Sequence, residues 1–506
     1  MNATRTLKRC LVCAPVLAVL AGSLGCGAEP GLSDRYVAEK LAWKAAKTIH
    51  AMRLNPELAT DEMKARVADI YGEIVDRFPP PDDASVLSPA EMDVAAIAAR
   101  SGMALAQIAA QAGDTDEAIR LYASVSDGYS YDRDLVVEST ISIAEIRELR
   151  GEWEDAAEAY EALMSDWPPA GPETSIPDVR ILRAPVRVAS GYISRGEESN
   201  GREWFGRARD YYESCVAKWP GSRTAELAMS FRAETFLMEE RWVDAVAAYE
   251  ELDRDYGRDA NRPGIWLVLA DTYANKLNRK AAARGYYLRV LEGYPDDIGS
   301  ATAALALAET EIENGEHEIA RTRLEDVAKR FPREEAIRAT AIQYLAVSYE
   351  SEGLWDSAVA QLNALAREHP TTLYGFTALQ HIAEHYEQAG ETGAADAALE
   401  RAADHYERVV RDFSSTPAEL AARGYLIDTR LRQERWEDAA RTLFETGERF
   451  PRSGSSPDMM MQAADIYENR LSDRDAATEV LRSLIGLFPG TRAATAAARR
   501  LEELAE

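Results

Sequence analysis

Apolar residues recur along most of this chain at spacings of three and four, the period of one helix face. In "WLVLADTY", Trp266, Leu269, Ala270 and Tyr273 follow that spacing. "IQYLAVSY" repeats it with Ile342, Leu345, Ala346 and Tyr349, and "LQHIAEHY" with Leu379, Ile382, Ala383 and Tyr386. Each such helix is followed by a second phrase. "ERWVDAVAAYEELDRDYG" starts at Glu240, "GLWDSAVAQLNALAREHP" at Gly353 and "ERWEDAARTLFETGERFP" at Glu434. Related phrases start at Gly151, Asn278, Gly315 and Ser472. All share a plan: a Gly or polar turn, a small Ala, a bulky residue four later and usually an aromatic-Pro stop. Proline ends the helix because it cannot continue it and disfavours helix in the residue before it.

The small alanines set the period. Ala245 to Ala283 is 38 residues, Ala283 to Ala320 is 37, and Ala320 to Ala358 and Ala439 to Ala477 are 38. Weaker copies place the residue at Ala118, Ala156, Ala208 and Ala402, and Val67 marks a degenerate first copy before "FPPPDD". A period in the thirties predicts stacked helix pairs. The small side chain lets the paired helix approach, and bulky neighbours fill the gap beside it.

Two intervals break the rhythm. Ala156 to Ala208 is 52 residues and includes "PPAGPETSIPDVRILRAP", read as a long loop over 169–187. Its segment Ile176–Ala184 is either a docking element or a tolerated insertion. Ala358 to Ala402 is 44, with "GETGAADAALERAADHYERV" lengthening a helix. The expected organisation is a short linker over 26–40, N-terminal helices over 41–110, a repeat array over 111–490 and a capping helix over 491–506.

These phrases resemble the tetratricopeptide repeat, and the resemblance covers roughly residues 60 to 490. It implies an all-α solenoid of about ten or eleven helix pairs wound into a right-handed superhelix. It also implies a non-enzymatic scaffold that binds segments of other proteins. The inner groove of that family is lined by the less apolar face of the first helices. By register, that face holds Asp271, Asn275, Gln343, Glu350, Gln380 and Glu387 here. "WPGSRTAELA" and "FPGTRAATAAARRL" are similar to repeats of bacterial envelope lipoproteins, including those of the β-barrel assembly machine and the Tol-Pal system.

The N-terminus changes the picture. Residues 1–25 hold Arg5, Lys8 and Arg9, no acidic residue, and the apolar run "LVCAPVLAVLAGSLG". That is the form of a secretory signal, too short for a membrane span. "LAGSLGC" resembles a lipobox ending at Cys26, the expected lipidation site. Gly27 and Ala28 follow in place of the Asp that marks inner-membrane retention, which points to the periplasmic face of the outer membrane. A soluble periplasmic adaptor is the alternative. Envelope or outer-membrane assembly factors are the expected partners.

Charge and chemistry narrow the function. The 506 residues carry a formal net charge of -28 with 46% hydrophobic residues. That supplies no basic footprint for nucleic acid. Cys10 and Cys13 fall in the signal, so Cys215 stands alone if Cys26 is lipidated. No disulfide framework or cysteine metal cluster follows, and Cys215 reads as a small buried hydrophobe. "HIAEH" over His381–His385 matches the inverted zinc-peptidase pattern, with His381 and His385 as ligands and Glu384 as base. The same residues form the first helix of a repeat, and that structural reading is preferred. No phosphate-binding or dinucleotide motif is present, so no catalytic residue, metal or cofactor is expected.

Overall fold

The computed structural model describes residues 31–54, 61–258 and 260–505. The signal segment 1–25 and Cys26 lie outside the described residues. Among the described residues there are 23 α-helices and no strand. The chain divides into two compact units, Met1–Ala248 and Tyr249–Glu506.

The first unit contains α1 (Leu32–Leu54), α2 (Asp61–Arg77), α3 (Pro89–Gln111), α4 (Thr115–Gly128), α5 (Arg133–Arg150), α6 (Trp153–Asp166), α7 (Ile176–Ser194), α8 (Glu198–Lys218) and α9 (Arg223–Met238). The boundary falls inside α10 (Trp242–Tyr256). The second unit continues with α11 (Arg262–Asp271), α12 (Lys280–Gly293), α13 (Ile298–Glu313), α14 (His317–Arg330), α15 (Glu335–Ser351), α16 (Trp355–Glu368) and α17 (Leu373–Gln388). It closes with α18 (Thr392–Asp412), α19 (Pro417–Arg432), α20 (Trp436–Arg449), α21 (Ser456–Asn469), α22 (Arg474–Leu487) and α23 (Arg492–Ala505). Odd and even helices pack as four pairs in the first unit, α1/α2 to α7/α8, and as six in the second, α11/α12 to α21/α22, with α23 after the last. The odd helix of each pair packs on its even partner, and successive odd helices pack from α1 to α9, from α11 to α19 and from α21 to α23. The linker expected over 26–40 is helical from Leu32, because Ala38, Leu41 and Ala45 make a buried face there.

The small residue sits at one buried position of the even helix. Ala118, Ala156, Ala245, Ala283, Ala320, Ala358, Ala439 and Ala477 each lie three residues after the start of their even helix. Every one is at most 2% exposed. In α8 and α18 this position is Gly201 and Ala395, both buried, and not Ala208 and Ala402 as the spacing suggested. A Cβ on Gly201 would meet Ile193 at 2.6 Å. Both helices have 21 residues where most even helices have 14. Seven residues make almost two turns, so the added length keeps the apolar face aligned. Tyr212 and Tyr406, eleven residues after Gly201 and Ala395, are buried. Their hydroxyls donate to the carbonyls of Leu182 and Phe376, thirty residues earlier in each case.

The stretch read as a loop over 169–187 is loop only as far as Ser175. Ser175 and Asp178 form a capping box and Pro177 occupies the first turn, where its missing N–H costs nothing. Pro185 is carried inside α7, so proline density misled the reading. Asp178 is 2% exposed and accepts from Arg133 at 2.7 Å and from the Ala170 N–H at 3.2 Å. Burial alone would raise its pKa, yet the Ser175 and Arg133 hydrogen bonds hold it below the usual carboxylate range. Thr224 donates to the Gly171 carbonyl at 2.7 Å. The proline-rich connection is therefore tied to α5, α7 and α9.

The turns between paired helices use left-handed backbone. Gly113, Gly151, Gly196, Gly315, Gly353 and Gly390 take it without strain. In the two "ERW" phrases the position is Glu240 and Glu434, each at φ 57°. Two other turns are one residue wider. The Arg279 N–H donates to Tyr273 O and the Asp473 N–H to Tyr467 O, six residues back where the other turns close over five, and the Leu277 N–H donates to Thr272 O. The sequences match as D-x-Y-x-N-[KR]-L, and Asn275 and Asn469 donate to Asp271 and Asp465 at 2.6 and 2.8 Å. Thr272–Lys276 is accordingly a π-helical turn.

Glu240→Gly and Glu434→Gly are expected to stabilise the chain by about 0.5 kcal/mol each, since relief of left-handed strain exceeds the cost of glycine entropy. Gly353→Ala should lose about 1 kcal/mol; thermal unfolding of the three variants checks both signs. A second expectation concerns His405, 6% exposed, whose Nε2 has no partner. Burial, followed by the charge of Arg408, pushes its pKa from 6.5 down to about 4. The folded chain keeps it neutral where the unfolded chain protonates it. Its contribution is therefore complete above pH about 6.5 and is lost as pH falls towards about 4. His405→Phe should flatten the loss between pH about 7 and about 5 by about 2 kcal/mol, read from urea midpoints.

Candidate binding face

Because most odd helices touch the next odd helix, they line one side of each unit. In the second unit an acidic residue follows the buried small or apolar residue of most of them. Asp271, Glu309, Glu384, Asp428 and Asp465 come directly after Ala270, Ala308, Ala383, Ile427 and Ala464. The five predecessors are buried and the five acids are exposed. α15 departs from this with Val347 after Ala346. One register position thus gives a carboxylate in five of the six pairs of the second unit.

The six residues assigned by register fall on this side in different settings. Glu350 lies between repeats, with Oε2 2.8 Å from His381 Nε2 and Oε1 3.5 Å from His385 Nδ1. Gln380 donates to Asp428 at 2.9 Å. Glu387 accepts from Arg432 at 2.8 Å, and Glu384 stands 3.7 Å from the same guanidinium. Asp271 and Asn275 bond each other within α11 and its π turn. Gln343 is half-buried on α15. Three of the six, Glu350, Gln380 and Glu387, are therefore joined to the neighbouring odd helix. Glu309, Glu384, Asp428, Asp465 and Arg432 were missed. The signal for the first three was visible as Ala or Ile followed by an acid in "AETE", "AEHY" and "IDTR".

The "HIAEH" residues do not converge as a peptidase would need. Both histidines face Glu350, the His385 ring stacks on Trp355 with centroids 3.4 Å apart, and Glu384 turns towards Arg432. Among the described residues no group of three or more His, Cys, Asp and Glu is arranged to hold a metal ion. Ile382 and Ala383 are buried in the packing positions. Cys215 is buried at 4% exposure, and burial raises its thiol pKa.

Basic groups recur one odd helix further on. Arg432 answers Glu384 and Glu387, and Arg500 on α23 answers Asp465 at 3.0 Å and Glu468 at 2.7 Å. The first unit uses α7. Arg187 reaches Glu145 at 2.8 Å and Glu148 at 2.6 Å, and Arg180 pairs with Glu138 and Glu145. Glu234 on α9 has its pKa raised by burial, against the pull of Arg183. In the second unit Asp271 and Glu309 meet neutral donors instead, the Asn275 amide and the Tyr344 hydroxyl. Burial, with Glu309 nearby, pushes the Tyr344 pKa up to about 12.

Comparison with known proteins agrees with this helix-pair design. The family described as tetratricopeptide repeat matches residues 103–172 and 305–372. No curated protein matches the chain. Among solved structures, yeast Tom70 is similar at 11% identity and TM-score 0.33, covering 94% of this chain and 96% of that one. A tetratricopeptide repeat protein from Parabacteroides merdae is similar at 15% identity and TM-score 0.33, covering 62% and 98%. YrrB, a repeat protein with an unusual peptide-binding site, is similar at 18% identity and TM-score 0.28, covering 44% and 98%. On these matches, residues 103–172 and 305–372 of this chain are tetratricopeptide repeats.

Proposed function

We propose that the chain is a non-enzymatic scaffold whose odd-helix face in the second unit receives a Lys- or Arg-bearing segment of another protein. The observation that carries this is the exposed column Asp271, Glu309, Glu384, Asp428 and Asp465. Carboxylates that outnumber the arginines Arg432 and Arg500 along this face attract and orient a basic segment, and they raise its association rate more than its final affinity. Buried aromatic residues beside them, such as Phe376 stacked on Tyr425 at 5.2 Å, keep the face stiff. A face that is already ordered loses little entropy on binding. The anchoring half of the proposal is an acyl chain on Cys26 that holds the scaffold at the periplasmic side of the outer membrane, near envelope assembly factors. The lipobox-like "LAGSLGC" supports it. No described helix is long and apolar enough to cross a membrane.

Short Lys/Arg-rich peptides should bind the full chain in a salt-sensitive manner, and acidic peptides of equal length should not. Glu384→Lys with Asp428→Lys is expected to weaken the basic peptide about tenfold or more, measured by fluorescence anisotropy. Unchanged affinity would remove the column from the proposal. Separately, growth with a radioactive fatty acid should label the wild-type chain and not Cys26→Ala. An unlabelled wild type would favour the soluble periplasmic adaptor.

A further inference from the structure

α1 presents two opposite faces. Ala38, Leu41 and Ala45 are buried against α2 and α3, with Val37 and Ala42 packed beside them. On the other side Tyr36, Lys40, Trp43 and Lys47 follow at spacings of four, three and four, which places them on one stripe. Tyr36 is 65% and Trp43 57% exposed. Lys40 Nζ lies 5.9 Å from the Tyr36 ring centroid and Lys47 Nζ 5.3 Å from that of Trp43. Lys44 is exposed beside them.

This stripe has the wrong composition for a solvated face of this chain. Asp and Glu number 86 against 58 Lys and Arg, yet the exposed stripe carries only lysine and aromatic side chains. Water leaves a large cost on exposed indole and phenol surface. An interface between water and lipid does not, because Trp and Tyr place an apolar body and a polar edge across it. Lysines alternating with them reach the phosphates, and each contributes by attraction to an anionic surface. The position along the chain agrees. α1 begins six residues after Cys26, so an acyl chain there would bring this helix to the bilayer before any other described element.

We infer that the Tyr36–Lys40–Trp43–Lys47 stripe of α1 is a docking surface for anionic lipid headgroups, laying the start of the first unit along a membrane. The inference extends the membrane half of the proposed function and does not depend on acylation. Loss of the basic-peptide site would leave it standing.

The test uses the full chain carrying Cys26→Ser, which cannot be acylated, and vesicles of phosphatidylcholine alone or mixed equally with phosphatidylglycerol. Sedimentation should show tighter binding to the mixed vesicles, weakening as salt rises. Lys40→Gln with Lys47→Gln should lose about thirtyfold on mixed vesicles and much of the salt dependence. Tyr36→Ser with Trp43→Ser should lose about tenfold on both compositions. All four side chains are exposed, so unchanged thermal unfolding is expected and shows that the variants fold. Equal binding by wild type and both variants would overturn the inference, since the apolar N-terminal run would then account for all of it. Self-association of the wild type that disappears in the Trp43→Ser pair, without lipid binding, would also overturn it and assign the stripe to a second copy.

Discussion

The approach of two backbones at one small side chain is the contact on which the helix pairs depend. At Ala156, Ala245, Ala320, Ala358, Ala439 and Ala477 exposure is zero, so any added atom must displace the partner helix. Close-packed interiors transmit such a displacement instead of absorbing it. Here it would tilt an even helix and, through that, the next odd one. The other regularities rest on this contact. The left-handed turn stands five residues before the small residue, the aromatic stop eleven after it outside the longer α8 and α18, and the acids of the odd helices eleven or twelve before it.

That dependence explains which irregularities the fold accepts. Seven extra residues in α8 and α18 return the helix face almost to where it was, so the small residue, the buried tyrosine and the odd-helix carbonyl that it reaches all keep their geometry. One extra residue cannot be hidden inside a helix in the same way. The chain places it at the turn, in the wide forms after Tyr273 and Tyr467, where Asn275 and Asn469 rejoin their aspartates. Insertions thus come as two turns within a helix or as one residue beyond its end.

Much of this was legible in the sequence because it follows from periodicity and local chemistry. The odd-helix faces, the small alanines and the aromatic stops were readable without coordinates. The reading failed where one residue type serves two purposes. Prolines in "PPAGPETSIPDVRILRAP" signalled a loop, yet Pro177 starts a helix and Pro185 sits within one. Ala208 and Ala402 looked like the repeat marker, yet they lie one heptad beyond Gly201 and Ala395. For the candidate face, register located Glu350, Gln380 and Glu387. It could not show that Arg432 joins Glu384 and Glu387, since such pairing depends on how far one repeat is displaced from the next.

Arg500 carries a consequence for how such a protein can change length. On α23 it meets Asp465 and Glu468 much as Arg432 meets the acids of α17, so α23 acts electrostatically as the opening of a further repeat. A duplicated repeat appended after α23 would find those acids already neutralised and would face the exposed Arg492, Thr495 and Arg499. A repeat spliced in before α23 would keep the cap and only shift which acids it meets. A designed extension of this array is therefore expected to be better tolerated before α23 than after it.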